Sequence, residues 1–263
     1  WWESFKYTMS SLVTVRRNAP DDNGLLSLED LTPLEAQQKK IKVLFVGNSF
    51  TYFYNLPQVL SSMARSQEDV IITRQSTVGG SNLEQHWKRL KGTKTRELLE
   101  SKKWDYVVFN NHSKSAIDTP DDFIKYGKKF AALVKQKGAK PIFMMTWAYK
   151  SDPSMQPEIT KMYKKLSQIT NSDYVPCGPI FEKTIQENPN LNLFFDDKHP
   201  SYIGTYLLGL TFYKYFTGKS TSKIPNRLTT TDFTGEKLYL IFMHQKEAHF
   251  LQNLVDNFSY KTL

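Results

Sequence analysis

Short apolar runs alternate with amphipathic stretches along the chain from residue 41 onward. The run Ile41–Val46 is apolar at five of its six positions, which is typical of a strand buried on both faces. Similar runs predict further strands at 70–73, 104–109, 140–146 and 174–175. Apolar residues at helical spacing predict helices near 56–63, 83–99, 120–134, 155–169, 179–187, 202–216 and 251–258, with Gly92 as a break in the second.

This alternation of strands and helices implies parallel β-α-β units joined by right-handed crossovers. The chain is therefore predicted to be an α/β protein, a three-layer α/β/α sandwich around a mainly parallel five-stranded sheet. A single domain over 41–263 accounts for all of these elements. Residues 1–40 lack the alternation and contain the turn-rich stretch 18–24, so they are predicted to be an N-terminal extension.

Polar or glycine-rich turns follow the first three predicted strands. Their sequences are Gly-Asn-Ser at 47–49, Gly-Gly-Ser at 79–81 and Asn-Asn-His at 110–112. Because the carboxyl ends of neighbouring parallel strands meet at one edge of an open sheet, we expect these turns to share a ligand site. Ser49 is then either a nucleophile or an ordinary turn residue.

A base for Ser49 is available in the segment Asp-Asp-Lys-His-Pro at 196–200. Asp196 and His199 are three residues apart, which lets the carboxylate reach the imidazole Nδ1 and leaves Nε2 free to take the serine proton. Asp197 is an alternative partner for His199. The two aspartates and His199 are also an alternative metal site, but no fourth ligand cluster is visible, so no metal is expected.

Three of these motifs, in this order and at these separations, resemble the SGNH (GDSL-like) hydrolases over residues 41–217. They are Gly-Asn-Ser-Phe-Thr at 47–51, Gly-Gly-Ser at 79–81 and Asp-x-x-His-Pro at 196–200. The longer stretches Gly-Gly-Ser-Asn-Leu-Glu-Gln-His-Trp and Thr-Trp-Ala-Tyr resemble an uncharacterised bacterial branch of that family. The resemblance implies a flavodoxin-like SGNH hydrolase fold and serine chemistry that needs no metal or organic cofactor.

Carried over motif by motif, the resemblance implies Ser49 as nucleophile, His199 as base and Asp196 as the residue that orients the base. It also implies the backbone amides of Ser49 and Gly79 as donors to the oxyanion. Gly80 competes with Gly79 for that role.

The third oxyanion donor is where this chain departs from the family. The usual asparagine of a Gly-x-Asn-Asp motif after strand three is replaced, and His112 stands at its position. A neutral imidazole can donate one hydrogen bond, so His112 is a candidate substitute, and Asn110 or Asn111 turned inward is the alternative. Asn110 is also a candidate for contacting the substrate. Trp147 and Tyr149 follow strand four at the same edge, where they are candidates for stacking on a sugar, for core packing or for a lid.

Composition narrows the partners. The formal net charge is +9, but the lysines are scattered and no nucleic-acid-binding signature accompanies them, so no nucleic acid is expected. The chain has no run of about 18 apolar residues, so no membrane span is predicted.

The single cysteine, Cys177, excludes an internal disulfide and is expected to be a small buried hydrophobe. The start at Trp1 is typical of a processed chain, and a location outside the cytoplasm is expected.

Together the motifs predict a serine esterase that removes a small acyl group, acetyl in the first instance, from a carbohydrate through an acyl-enzyme. The carbohydrate is implied by the family resemblance rather than by the residues. Two alternatives stay open: a non-catalytic glycan-binding protein on the same fold, and a hydrolase of a non-ester, glycosidic bond.

Overall fold

The computed structural model describes residues 39–231 and 234–259. Residues 1–38, which make up nearly all of the predicted N-terminal extension, lie outside the described residues. In chain order the elements are β1 (Lys40–Gly47), α1 (Ser49–Tyr52), α2 (Leu56–Arg65), β2 (Val70–Thr77), α3 (Leu83–Trp87), α4 (Thr95–Ser101), β3 (Tyr106–Phe109), α5 (Ser115–Asp118), α6 (Pro120–Gln136), β4 (Lys140–Met144), α7 (Gln156–Thr170), β5 (Asp173–Val175), α8 (Cys177–Glu187), α9 (Tyr202–Thr217), β6 (Arg227–Thr231), β7 (Lys237–Phe242) and α10 (Gln245–Asn257).

The first five strands form one parallel sheet in the order β2-β1-β3-β4-β5. This order is that of flavodoxin-like folds, and it confirms the predicted five-stranded sheet. The chain leaves β1 towards β2 on one side and returns to β3 on the other. The carboxyl ends of β1, β2 and β3 therefore surround the switch point, which is the usual ligand site of such sheets.

Two apolar cores cover the two faces of the sheet, as the alternation along β1 illustrates. Val43 and Phe45 pack into the core that α2, α8, α9 and α10 close. Leu44 and Val46 pack into the core that α3, α4, α6 and α7 close. The predicted three-layer sandwich is thus confirmed, with β1 between the edge strand β2 and the central strand β3.

Local details refine the sequence prediction. The predicted break at Gly92 is confirmed: the helical stretch over 83–99 is divided into α3 and α4, and Arg89, Lys91 and Gly92 adopt positive φ angles of 58°, 54° and 70° in the connection. The strand β2 continues to Thr77, beyond the predicted 70–73.

The antiparallel hairpin β6–β7 was not predicted from the sequence. The strand β6 has the sequence Arg-Leu-Thr-Thr-Thr, which lacks an apolar run, so its strand state depends on pairing with β7. Over 39–231 and 234–259, none of the helices combines the length and the apolar character that crossing a membrane requires.

Candidate active site

The turn after β1 presents Ser49 at the sheet edge. Asn48 caps α1 in an extended conformation, and its Oδ1 accepts a hydrogen bond from the backbone N–H of Phe50 at 3.1 Å. Ser49 is the first residue of α1, so its own N–H has no acceptor within that helix. Ser49 lines a cavity of about 280 Å³. Neither its hydroxyl nor its backbone N–H is therefore used to hold the turn, so both are available to a ligand in the cavity.

A buried asparagine holds this turn in place. The Asn110 side chain is 1% exposed, its Oδ1 accepts from Thr51 Oγ1 at 2.6 Å, and its Nδ2 donates to Asn48 Oδ1 at 2.9 Å. It lies so close to Gly47 that a Cβ added there would be 1.7 Å from Asn110 Oδ1. Glycine is therefore required at 47. Asn110 supports the nucleophile turn instead of facing the cavity, which corrects the expected substrate-contacting role.

Ser49, His199 and Asp196 form a continuous hydrogen-bonded chain. His199 Nε2 lies 2.8 Å from Ser49 Oγ, and His199 Nδ1 lies 2.7 Å from Asp196 Oδ2. Asp196 Oδ1 accepts the backbone N–H groups of Lys198 at 2.8 Å and His199 at 2.7 Å. Partial burial alone would raise the pKa of Asp196, but the hydrogen bonds from the His199 side chain and these two amides outweigh it and lower that pKa. The carboxylate therefore stays ionised beside the imidazole.

The neighbouring aspartate has a different partner. Asp197 accepts hydrogen bonds from the backbone N–H and the Oγ of Ser151, both at 2.8 Å. Its carboxylate is turned away from His199, so the geometry assigns the orienting position to Asp196.

Gly79, Gly80 and His112 also line the cavity. Burial, followed by the positive charge of Lys198, lowers the pKa of His112 and keeps the ring neutral. Its Nδ1 faces the backbone N–H of Lys114 at 3.5 Å and can only accept from it. The ring hydrogen is then on Nε2, which is available as a donor.

Asn111, the other candidate for the third donor, is a structural support. Its Oδ1 accepts the backbone N–H groups of Leu83 at 3.0 Å and His112 at 2.9 Å. The side chain is buried and does not line the cavity. This corrects its place among the oxyanion candidates and leaves His112 as the one of the three candidate side chains that remains for that role.

The two aromatic candidates after β4 lie behind the site. The Trp147 ring is 1% exposed and stacks between Phe50 at 4.6 Å and Phe181 at 4.5 Å between ring centroids. Its Nε1 donates to the Lys198 carbonyl at 2.8 Å, which steadies the turn that bears His199. The expectation of sugar stacking by Trp147 is therefore corrected to core packing.

Tyr149 is half-buried and does not line the cavity. Its hydroxyl lies 2.7 Å from Ser113 Oγ, and Ser113 does line it. Tyr149 thus supports the cavity edge from behind.

A buried histidine near the end of the Gly-Gly-Ser-Asn-Leu-Glu-Gln-His-Trp stretch, for which the sequence predicted no role, ties two of the turns together. His86 Nε2 lies 2.9 Å from the Gly47 carbonyl and 2.8 Å from Ser81 Oγ, while Nδ1 lies 2.7 Å from Thr95 Oγ1. Burial lowers the pKa of His86 to about 4, so the ring is neutral. His86 lies at a buried position of α3, and nothing in its local sequence indicates contacts with residues as far away as Gly47.

Four aromatic residues beside the base were also missed. Phe53 stacks on the His199 ring with centroids 4.1 Å apart and planes 11° apart. Phe195 lies 5.7 Å from Phe53, Tyr54 lies 6.1 Å from Phe195, and Tyr202 lies 6.2 Å from Tyr54. Phe53, Tyr54, Phe195 and Tyr202 are called the aromatic shelf below. Phe195 is 53% exposed and Tyr202 37% exposed, a property that sequence pattern does not reveal.

Several solved structures share this fold. A provisionally assigned SGNH hydrolase from Slackia heliotrinireducens superposes with a TM-score of 0.59 at 20% identity, covering 68% of this chain and all of its own. A DUF4886 family protein from Bacteroides uniformis gives 0.63 at 18% identity, covering 83% and 94%. Axe2, an acetylxylan esterase from Geobacillus stearothermophilus, gives 0.54 at 18% identity, covering 67% and 94%.

No protein-family model matches the chain, and the search of curated proteins gave no match. The structural likeness shows that the chain has the fold of the SGNH hydrolases.

Proposed function

We propose that this protein is an SGNH-type serine esterase that removes a small acyl group, acetyl in the first instance, from a carbohydrate. The observation that carries the proposal is the hydrogen-bonded chain from Ser49 Oγ through His199 to Asp196. It lies at the switch point of the sheet, in a cavity shared with a glycine turn and a neutral histidine. A nucleophile, a base, a group that orients the base and oxyanion donors are the parts that acyl transfer needs.

In the first half-reaction His199 Nε2 takes the proton of Ser49 Oγ while this oxygen attacks the ester carbonyl carbon. Asp196 holds the imidazole in the tautomer that has Nε2 free and then stabilises the imidazolium. The negative oxygen of the tetrahedral intermediate accepts hydrogen bonds from the backbone N–H groups of Ser49 and Gly79 and from His112 Nε2.

The intermediate collapses when the bond to the alcohol breaks and His199 gives its proton to the departing oxygen. This leaves the acyl group on Ser49. In the second half-reaction His199 takes a proton from a water molecule as this water attacks the acyl carbon. The bond to Ser49 Oγ then breaks, His199 returns the proton to that oxygen, and the carboxylic acid leaves.

Two observations favour a small acyl group and a carbohydrate alcohol. The cavity at Ser49 measures about 280 Å³, which suits a short acyl chain better than a fatty one. An acetylxylan esterase is among the solved structures that share the fold. Because that structure is only 18% identical, it supports the substrate class by analogy.

The test uses p-nitrophenyl acetate and a fluorophosphonate probe on the purified protein. We expect turnover of the ester and covalent labelling by the probe, and we expect Ser49→Ala to abolish both. Ser222→Ala, which removes an exposed serine hydroxyl far from Ser49 in the sequence, serves as the matched control. Acetate release from acetylated polysaccharides then defines the alcohol.

The proposal falls if the wild-type protein neither labels nor releases acetate. Binding of an acetylated oligosaccharide without turnover would then favour the glycan-binding alternative. New reducing ends without acetate release would favour glycosidic hydrolysis.

A further inference from the structure

We infer that the aromatic shelf is a subsite for the sugar ring of the leaving alcohol. The inference deepens the proposed function and rests on it. Its starting point is that the shelf is continuous with the base: Phe53 lies flat on the His199 ring at 4.1 Å, and Phe195, Tyr54 and Tyr202 continue the aromatic surface outward.

The chemistry of the base fixes which part of the substrate meets the shelf. His199 Nε2 must deliver a proton to the alcohol oxygen, so that oxygen has to lie beside the imidazole. In the proposed mechanism the carbonyl oxygen faces the oxyanion donors, among them Gly79 and His112, which line the cavity. Since the shelf adjoins His199, it faces the alcohol and not the acyl chain.

The shelf has the surface character that a sugar ring requires. A pyranose presents an apolar C–H face and a polar rim of hydroxyls, and tyrosine combines an apolar ring with a polar tip. Phe195 exposes 53% of its surface and Tyr202 exposes 37%, and the shelf reaches the cavity through Phe53, which lines it. Neighbouring exposed aromatics at the mouth of a site are typical of a ligand surface.

The backbone that places Tyr54 is strained. Tyr54 has φ 46° and ψ 20°, and a bulky residue in this left-handed region is an outlier. Asn55 follows with φ 61° and caps α2 by accepting the N–H of Gln58 at 3.4 Å. Such strain persists only where the surroundings hold it, and it concentrates at functional sites. Here it orients the Tyr54 ring against Phe195 and Tyr202.

The experiment compares two esters that differ only in the alcohol. An acetylated xylo-oligosaccharide places a sugar on the shelf, whereas ethyl acetate releases ethanol, which is too small to reach it. In Phe195→Ala and in Tyr54→Asn, we expect the ratio of kcat/KM for the oligosaccharide to kcat/KM for ethyl acetate to fall about five- to tenfold, mainly through KM. Asparagine tolerates the left-handed backbone at 54, so this variant removes the ring without adding strain.

Tyr239→Ala is the matched control, because it removes an aromatic that is 73% exposed on β7, away from the cavity. We expect it to leave the ratio unchanged. An unchanged ratio in both shelf variants would overturn the inference. So would a selective loss on ethyl hexanoate relative to ethyl acetate, since the shelf would then hold the acyl chain.

A binding measurement separates this inference from the proposed function. In the Ser49→Ala background, which cannot turn over, calorimetric titration with the acetylated xylo-oligosaccharide should give a Kd that Phe195→Ala weakens by a similar factor. A protein with no esterase activity but with this Phe195-dependent binding would refute the catalytic proposal and keep the sugar subsite. Esterase activity without Phe195-dependent binding would refute the subsite alone.

Discussion

His112 lines the same cavity as Ser49 and His199, and its Nδ1 lies 3.5 Å from the backbone N–H of Lys114. If it donates to the oxyanion, His112→Ala should lower turnover of p-nitrophenyl acetate about a hundredfold or more. His112→Asn should recover part of the loss, because its side-chain amide can also donate.

Urea unfolding of both His112 variants checks that the fold is intact. His249→Ala, at an exposed histidine of α10, is the control for loss of an imidazole. Wild-type turnover in His112→Ala would remove His112 from the site.

His86 holds the turns at Gly47 and Ser81 together, and its protonation should make the free energy of unfolding depend on pH. Its pKa is about 4 in the folded protein and about 6.5 in an unfolded chain. Between these values the unfolded chain binds a proton that the folded protein does not, so the free energy of unfolding falls as the pH falls. The full interval corresponds to about 3 kcal/mol.

In His86→Gln this contribution should vanish, because glutamine does not titrate. The measurement is urea unfolding of the wild type and the variant at pH 7 and pH 4.5. We expect the wild type to lose more stability between the two pH values than the variant does. Equal losses would contradict a neutral, buried His86.

At the scale of elements, the first turn of α9 sets the position of the base. The Ser201 N–H donates to the Leu193 carbonyl at 2.8 Å, and Gly204 packs directly on that carbonyl. A Cβ at Gly204 would lie 2.3 Å from the Leu193 oxygen and 3.1 Å from Phe181 Cζ. Because the closest contact is backbone, a side chain there has to displace the segment that leads to His199.

We therefore expect Gly204→Ala to lower the free energy of unfolding by about 1–3 kcal/mol and to reduce kcat more than tenfold. Gly209→Ala in the same helix is the control. The nearest atom to its added Cβ is Met63 Sδ at 2.8 Å, at the flexible end of a side chain. Measurements of kcat and urea unfolding on both variants decide the matter, and equal kcat values would refute the displacement.

The strands and helices differ in how far sequence determines them. The strand β1 is predictable because both of its faces are buried, which leaves an unmistakable apolar run. The hairpin β6–β7 is not, since its strand state comes from pairing and from packing on α2. The division of the helical stretch over 83–99 was signalled by Gly92, whereas the positive φ angles at Arg89 and Lys91 were not, since neither residue type favours them.

At the scale of the whole molecule, the sequence identifies those site residues that belong to short local motifs. Ser49 and the Asp196–His199 pair each belong to a short motif, and the structure brings them within hydrogen-bonding distance. The role of Asn110 was not predictable, because its contacts with Asn48 and Thr51 span about sixty positions.

The hydrogen bond between Ser49 Oγ and His199 Nε2 joins residues 150 positions apart. Closing so long a loop costs chain entropy before any native contact offsets it, and such contacts tend to form late in folding. A refolding chain would regain its helices before Ser49 and His199 meet. The recovery of ester hydrolysis should therefore lag behind the recovery of the helical circular dichroism signal. Regained activity would then report the completion of the last stage of folding.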